Sequence, residues 1–328
     1  MQILGKHIKE NTFKNIYLLT GEEDYLRKQY KDRMAKALGN PEDSMNFQVF
    51  EGKDISVEKI IDLSETMPFL AERRVILIEN SGFFKNANDK LADYLKEVPE
   101  TTFFLFVEKD VDKRGKLYKT CKDSGYVAEF VKQNEETLKR WIVSIIMKQN
   151  KQITHRALDL FIDYCGMEMS IISTELEKLL CYTMDKSDIS EADIEAICSR
   201  QLSNRIFDMN EAIAFKRQKM ALDLYYDLIA QRESPRKILV LMNRHFNHLF
   251  QTKELRRKGY DQKAIASKLG VPSFAVNKYL GQAAKFSTEQ LRVAIESCVD
   301  TEEGINTGRI AETLAVELLM ITLAKDSQ

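Results

Sequence analysis

The chain has 328 residues, which at ~150 residues per domain predicts two or three domains. Hydrophobic residues make up 44% and charged residues 30%; that composition is globular and excludes a disordered chain. Lys and Arg total 49 against 50 Asp and Glu, a net charge of -1, which excludes a uniformly basic nucleic-acid coat and an acidic solvating tail but leaves room for local patches.

The first 130 residues alternate short apolar runs with helical patterns. The runs are Ile16 to Leu19, Phe47 to Phe50, Val75 to Ile78, Phe103 to Val107 and Tyr126 to Phe130. Unalternated runs of β-branched and aromatic residues predict strands buried on both faces. Between them, 3.6-residue periodicity predicts helices over Tyr25 to Leu38, over Asp54 to Met67 behind an Asp54 or Ser56 cap, and over Asn86 to Val98, stopped by Pro99. Strand-helix alternation of this kind builds a parallel sheet covered by helices. From about Glu135 the strand signals vanish. Helices are expected over 135–150, 154–165, 170–182 and 190–200, and longer ones from Phe207 onward. Breaks in these are expected at Ser234-Pro235, Gly259, Gly270 to Pro272, Gly281 and Gly304.

No charged n-region followed by an apolar stretch opens the chain, so no signal peptide is expected, and the apolar stretches are too short to span a membrane. The five cysteines are widely spaced and never in CxxC. That argues against disulfides and zinc and for a reducing cytoplasm.

In an open parallel sheet, the loop after the first strand is where a phosphate sits, against the next helix N-terminus. Here it reads Thr20-Gly21-Glu22-Glu23-Asp24-Tyr25. A P-loop needs GxxxxGK[ST], with glycine amides for the phosphates, a Lys for their charge and a hydroxyl for Mg²⁺. This loop has one Gly, no Lys and three consecutive acids, which would repel a triphosphate. The fourth run ends Val107-Glu108-Lys109-Asp110; without a P-loop its acids read as loop carboxylates rather than metal ligands. His245 and His248 stand at i, i+3 on a basic helix with no acid or Cys ligand near them, and read as an exposed helix face. No nucleophilic triad motif occurs. No catalytic residue, cofactor site or metal site is therefore expected.

Two segments are unusual. Residues 260–280 have a helix-turn-helix rhythm around Leu269-Gly270-Val271, and Arg232 to Lys285 carries twelve Lys/Arg against three Asp/Glu. This reads either as DNA contact through phosphates or as a helical hairpin packed inside an all-α domain. The connector Met67-Pro68-Phe69-Leu70-Ala71-Glu72-Arg73-Arg74 gathers three large apolar residues at a turn. It reads either as a loop folded over the sheet edge or as an exposed apolar plug for a partner's pocket.

These residues, in this order, resemble the delta subunit of the bacterial DNA polymerase III clamp loader. The resemblance runs through Tyr17 to Leu26, Met67-Pro68-Phe69-Leu70 with Arg73-Arg74-Val75, and Phe104 to Val107 with Asp112-Lys113-Arg114 and Leu117-Tyr118-Lys119. It continues through Glu175 to Leu179, Phe207-Asp208, Lys237-Ile238-Leu239, Arg244-His245-Phe246, the hairpin Ala264 to Tyr279 and Leu314 to Leu319.

The resemblance implies an α/β AAA+-type parallel-sheet domain without a working nucleotide site (1–135), followed by two all-α domains, a helical lid (136–206) and a helical collar (207–328). It implies a non-catalytic subunit of a DNA-directed DNA polymerase (nucleotidyltransferase) holoenzyme, acting in DNA replication in the cytoplasm, at the replisome on the nucleoid. Such a subunit binds the sliding clamp (beta subunit) and opens its interface for loading on primed DNA, and its collar assembles with delta-prime and gamma/tau subunits. The clamp-binding pair maps onto Phe69 and Leu70, supported by Met67, with Arg73 and Arg74 expected at the rim. Where many relatives carry a Lys before the last helix this chain reads Gly304 to Arg309, and Arg309 is the candidate replacement for a DNA contact. The alternatives are a helix-turn-helix DNA-binding regulator and, disfavoured by Gly21 to Asp24, an ATPase.

Overall fold

The computed structural model describes residues 2–325 apart from 87, 201 and 272. It divides into two compact units, residues 1–133 and 134–328.

The first unit contains α1 (Gln2–Glu10), β1 (Ile16–Thr20), α2 (Asp24–Leu38), β2 (Phe47–Glu51), α3 (Val57–Glu65), β3 (Arg74–Glu79), α4 (Asp89–Tyr94), β4 (Thr102–Glu108), α5 (Lys116–Ser124) and β5 (Tyr126–Glu129). The strands form one parallel sheet in the order β2-β3-β4-β1-β5, with Leu18 opposite both Phe106 and Val127. Parallel neighbours require crossovers, which the helices supply. Strands β1 and β4 are buried throughout, as an unalternated apolar run predicts. The edge strands differ: β2 buries Phe47 but leaves Val49 exposed, and β5 is mostly half-covered. An apolar run alone does not distinguish an edge from a centre.

Caps fix the helix starts. Ser56 accepts from the Lys59 amide and Asn88 from the Leu91 amide. Helix α4 is shorter than expected. It ends at Tyr94, where the Lys96 and Glu97 amides turn back on Asp93 and Tyr94, so tight turns rather than helix lead to Pro99.

The second unit contains α6 (Glu135–Lys148), β6 (Gln152–Ile153), α7 (His155–Cys165), α8 (Met169–Tyr182), β7 (Asp188–Ile189), α9 (Glu191–Ile197), α10 (Leu202–Ala214), α11 (Gln218–Ala230), α12 (Pro235–Arg257), α13 (Gln262–Leu269), α14 (Ser273–Ala283), α15 (Thr288–Asn306) and α16 (Glu312–Ala324). It is helical except for the small parallel pair β6–β7, which the sequence reading did not foresee. Two-residue strands carry no periodicity. They are held by the buried Lys151, whose ammonium donates to the carbonyls of Thr183, Met184 and Lys186.

One apolar core gathers α10, α11, α12, α15 and α16 around Met209, Tyr225, Met242, Phe246 and Val316. Gly281 and Gly304 do not break the chain as expected; both lie inside helices, α14 and α15. Gly304 is buried, and a Cβ there would only touch the Ile310 side chain at 3.4 Å. Gly259 and Gly270 do end helices, while Pro272 of the expected turn lies outside the described residues. Among the described residues no helix is long and apolar enough to cross a membrane, and no group of His, Cys, Asp or Glu has metal-ligand spacing.

Candidate functional site

The loop after β1 is closed by its own chain. Gly21 donates to the Lys109 carbonyl, and the Phe130 amide donates to Thr20 while the Glu23 amide donates to Phe130. A Cβ on Gly21, whose φ is +119°, would stand 2.2 Å from the Phe130 oxygen. Arg27 turns inward as well, donating to the Gly21 carbonyl and pairing with Asp24. The Gly21 and Glu23 amides are thus already engaged and do not face a phosphate. Glu108, at the end of β4, is equally committed. Its Oε1 accepts from the Ser81 amide at 2.7 Å, from the Ser81 hydroxyl and from the Gly82 amide at 3.2 Å, which pins the loop after β3. It is a buried structural carboxylate.

The connector between α3 and β3 is the most exposed apolar feature of the first unit. Helix α3 stops at Glu65, Thr66 turns extended, and Pro68 cannot continue a helix. Met67 is 81% exposed, Phe69 58% and Leu70 93%. Leu70 also adopts φ +51°, a left-handed conformation that costs a branched residue ~1–2 kcal/mol. The segment is nonetheless held firmly from beneath. The Asn46 amide group donates to the Phe69 carbonyl at 2.9 Å and accepts from the Phe69 amide at 2.6 Å. Asp43 orients Asn46, accepting from its Nδ2 at 2.7 Å. The Asn46 amide and the Met45 amide beside Asp43 hold its carboxyl below the usual carboxylate range.

Arg74 does not stand at the rim, as its place in the sequence suggested. It is 5% exposed, because its guanidinium is spent on backbone oxygens. Nε donates to Thr66 at 2.9 Å, Nη2 to Met67 at 2.9 Å and Nη1 to Met45 at 3.2 Å. Arg73 is half-buried, stacked over Phe13 and Phe103 at 5.0 and 5.4 Å and hydrogen-bonded to Asn11. A hollow of ≈ 310 Å³ beside the segment is walled by Arg73, Asn46 and Glu72.

Asp43, Met45 and Asn46 join the connector without any mark in the sequence. Met45 is itself largely exposed, and its carbonyl accepts from the Arg74 guanidinium. No local signal marks these three, since they reach the connector across more than twenty residues.

In the second unit Arg309 is exposed and pairs with Glu303 at 3.0 Å. His245 is not on an exposed face as expected. It is buried, with Nε2 2.7 Å from Gln282 Oε1, and burial holds its pKa down to about 4. The hairpin α13–α14 closes on its own small core of Ile265, Leu269 and Val276.

A five-stranded parallel sheet whose first loop is closed by its own chain, followed by a helical region, defines the class. The family model for DNA polymerase III, delta subunit, matches residues 17–131, and that for the DNA polymerase III delta subunit, C-terminal domain, matches residues 203–323. The chain is 29% identical to DNA polymerase III subunit delta of Bacillus subtilis, over 98% of this chain and 96% of that one. It is 20% identical to the probable DNA polymerase III subunit delta of Rickettsia prowazekii, over 69% and 70% of the two chains. The solved structure of the Bacillus subtilis DNA clamp loader delta protein superposes over 99% of both chains, at a TM-score of 0.70 and 28% identity. The chain belongs to the DNA polymerase III delta-subunit family.

Proposed function

We propose that this chain is the clamp-opening subunit of the replicative clamp loader. The carrying observation is the apolar segment Met67, Phe69 and Leu70, exposed to solvent while the Met67 carbonyl and both backbone groups of Phe69 are held from beneath. Fully burying a large apolar side chain stabilises a complex by ~1.5–3 kcal/mol, so two or three such residues in a preformed pocket give useful affinity. On this reading Phe69 and Leu70 enter an apolar pocket of the sliding clamp, Met67 supports them, and Arg73 lies at the edge. Opening is a matter of differential binding. If the subunit prefers a sprung clamp interface, its binding energy shifts the clamp toward the open state.

The subunit works without catalysis of its own. The closed loop at Gly21 and the engaged Glu108 support this, since neither is free for a nucleotide or metal. ATP bound by other loader subunits then governs when the apolar segment is presented. Residues 1–135 form the clamp-binding domain, 136–206 the lid, and 207–328 the collar that assembles with delta-prime and gamma/tau subunits. The collar's self-contained core supports that division. Arg309 is the proposed contact to primed DNA. Its exposed ion pair with Glu303 is weak enough to be exchanged for a phosphate. The working place is the replisome on the nucleoid, in the cytoplasm.

Gel filtration of the full chain with purified sliding clamp tests the proposal. The two comigrate if the proposal holds. Separate elution at concentrations well above micromolar sinks it.

A further inference from the structure

We propose that Asn46 and Arg74 are positioning residues for clamp binding, which hold the Pro68-Phe69-Leu70 tip in the shape the clamp receives. This rests on the reading of Phe69 and Leu70 as the clamp-binding pair. The tip has no element of its own to hold it. It carries a leucine in the left-handed region, and its apolar side chains gain nothing from solvent. A free loop of this kind populates many conformations, and a partner's pocket binds only the competent fraction.

Two buried polar groups restrict that ensemble. Asn46 grips Phe69 from both sides of one residue, as a neighbouring strand would, by donating to its carbonyl and accepting from its amide. Arg74 fixes the stem: one planar fork joins the carbonyls of Thr66, Met67 and Met45, so both flanks of the apolar patch hang from the same guanidinium. Asp43 fixes Asn46 in turn, accepting its second amide proton and the backbone amides of Met45 and Asn46. The chain Asp43, Asn46, Phe69 ties the tip to the start of β2, and Arg74 ties it to the start of β3. Neither Asn46 nor Arg74 is exposed enough to meet the clamp. Their effect on affinity therefore passes through the tip.

The test compares Asn46→Ala and Arg74→Lys in the full chain with wild type and with the Phe69→Ala/Leu70→Ala variant. Clamp affinity is read by fluorescence anisotropy. Limited chymotrypsin digestion, well below the thermal midpoint, reads the looseness of the tip at Phe69–Leu70. A lysine is one point charge and cannot span three carbonyls, so Arg74→Lys keeps the charge but loses the fork. If Asn46→Ala leaves the tip competent about a tenth of the time, the dissociation constant rises about tenfold. A single cut at the tip appears at the same time. Ile60→Val, a core change away from the tip, supplies a destabilised control that keeps wild-type affinity and an uncut tip.

Both positioning variants binding within twofold of wild type while folded would overturn the inference, as would a wild-type tip cut as fast as theirs. Should Asn46→Ala fail to fold, Arg74→Lys alone decides. The double apolar variant separates the two levels. If it keeps wild-type affinity, the clamp-binding reading itself fails. If it loses binding while both positioning variants keep it, only this inference fails.

Discussion

Arg73 and Arg74 are adjacent in the chain and do different physical work. Arg74 serves the backbone, and removing it would strand three carbonyls. Arg73 lies over two rings, Phe13 and Phe103, and only partly faces water. Stacking of this kind contributes ~0.5–1 kcal/mol per ring. Arg73→Ala is therefore expected to lower stability by about 1–2 kcal/mol in urea titrations, with little change in the salt dependence of clamp association. A steep loss of that dependence, with stability intact, would return Arg73 to the role of a free rim charge.

His245 makes a pH prediction. Burial lowers its folded pKa to about 4 from an ordinary 6.5, with His248 adding a smaller push in the same direction. Between those values the unfolded chain binds more protons than the folded one, so stability rises with pH across the window. It is complete above pH 6.5 and is lost as pH falls toward 4, by about 3 kcal/mol from this group. The carboxylates of Glu58, Asp93 and Asp193 are held down to about 2 by Lys90, Lys116 and Lys186, and they titrate below that window. Thermal midpoints measured from pH 7 to 4 should fall for wild type and fall less for His245→Gln. Equal slopes would contradict the assignment.

At the scale of elements, the strands β1, β3 and β4 and the helix cap at Ser56 were legible because each is set by neighbours in sequence. What local pattern could not carry was decided by distant contacts. Lys151 holds the β6–β7 pair, Gly281 and Gly304 stay inside their helices, and burial against Gln282 removes His245 from the surface. The site divides the same way. Met67, Phe69 and Leu70 stand out as an apolar cluster after Pro68, whereas Asn46 and Arg74 acquire their parts only when β2 and β3 lie side by side. The lysine-free acids of the loop between β1 and α2 read as a missing phosphate site, whereas the closure of that loop by Phe130 carries no local signal. This element predicts that the isolated chain gives no saturable binding of a fluorescent ATP analogue with Mg²⁺. Micromolar binding that disappears on altering Gly21 to Tyr25 would contradict it.

At the scale of the whole molecule, the first unit is a sheet domain whose loop after β1 is closed, the second is helical with a core of its own, and the proposed clamp contact is a tip on the first. The central claim is that Phe69 and Leu70 act outward. If they instead covered the molecule's own core, their loss would lower the thermal midpoint and impair loader assembly. Their exposure argues that folding does not need them. The most direct measurement is clamp affinity and clamp opening by the folded Phe69→Ala/Leu70→Ala double variant. The account predicts a loss of roughly 3–5 kcal/mol, or two to three decades or more in affinity, with no opening, a thermal midpoint near wild type and normal assembly with the other loader subunits. A folded double variant that binds the clamp with wild-type affinity would contradict it.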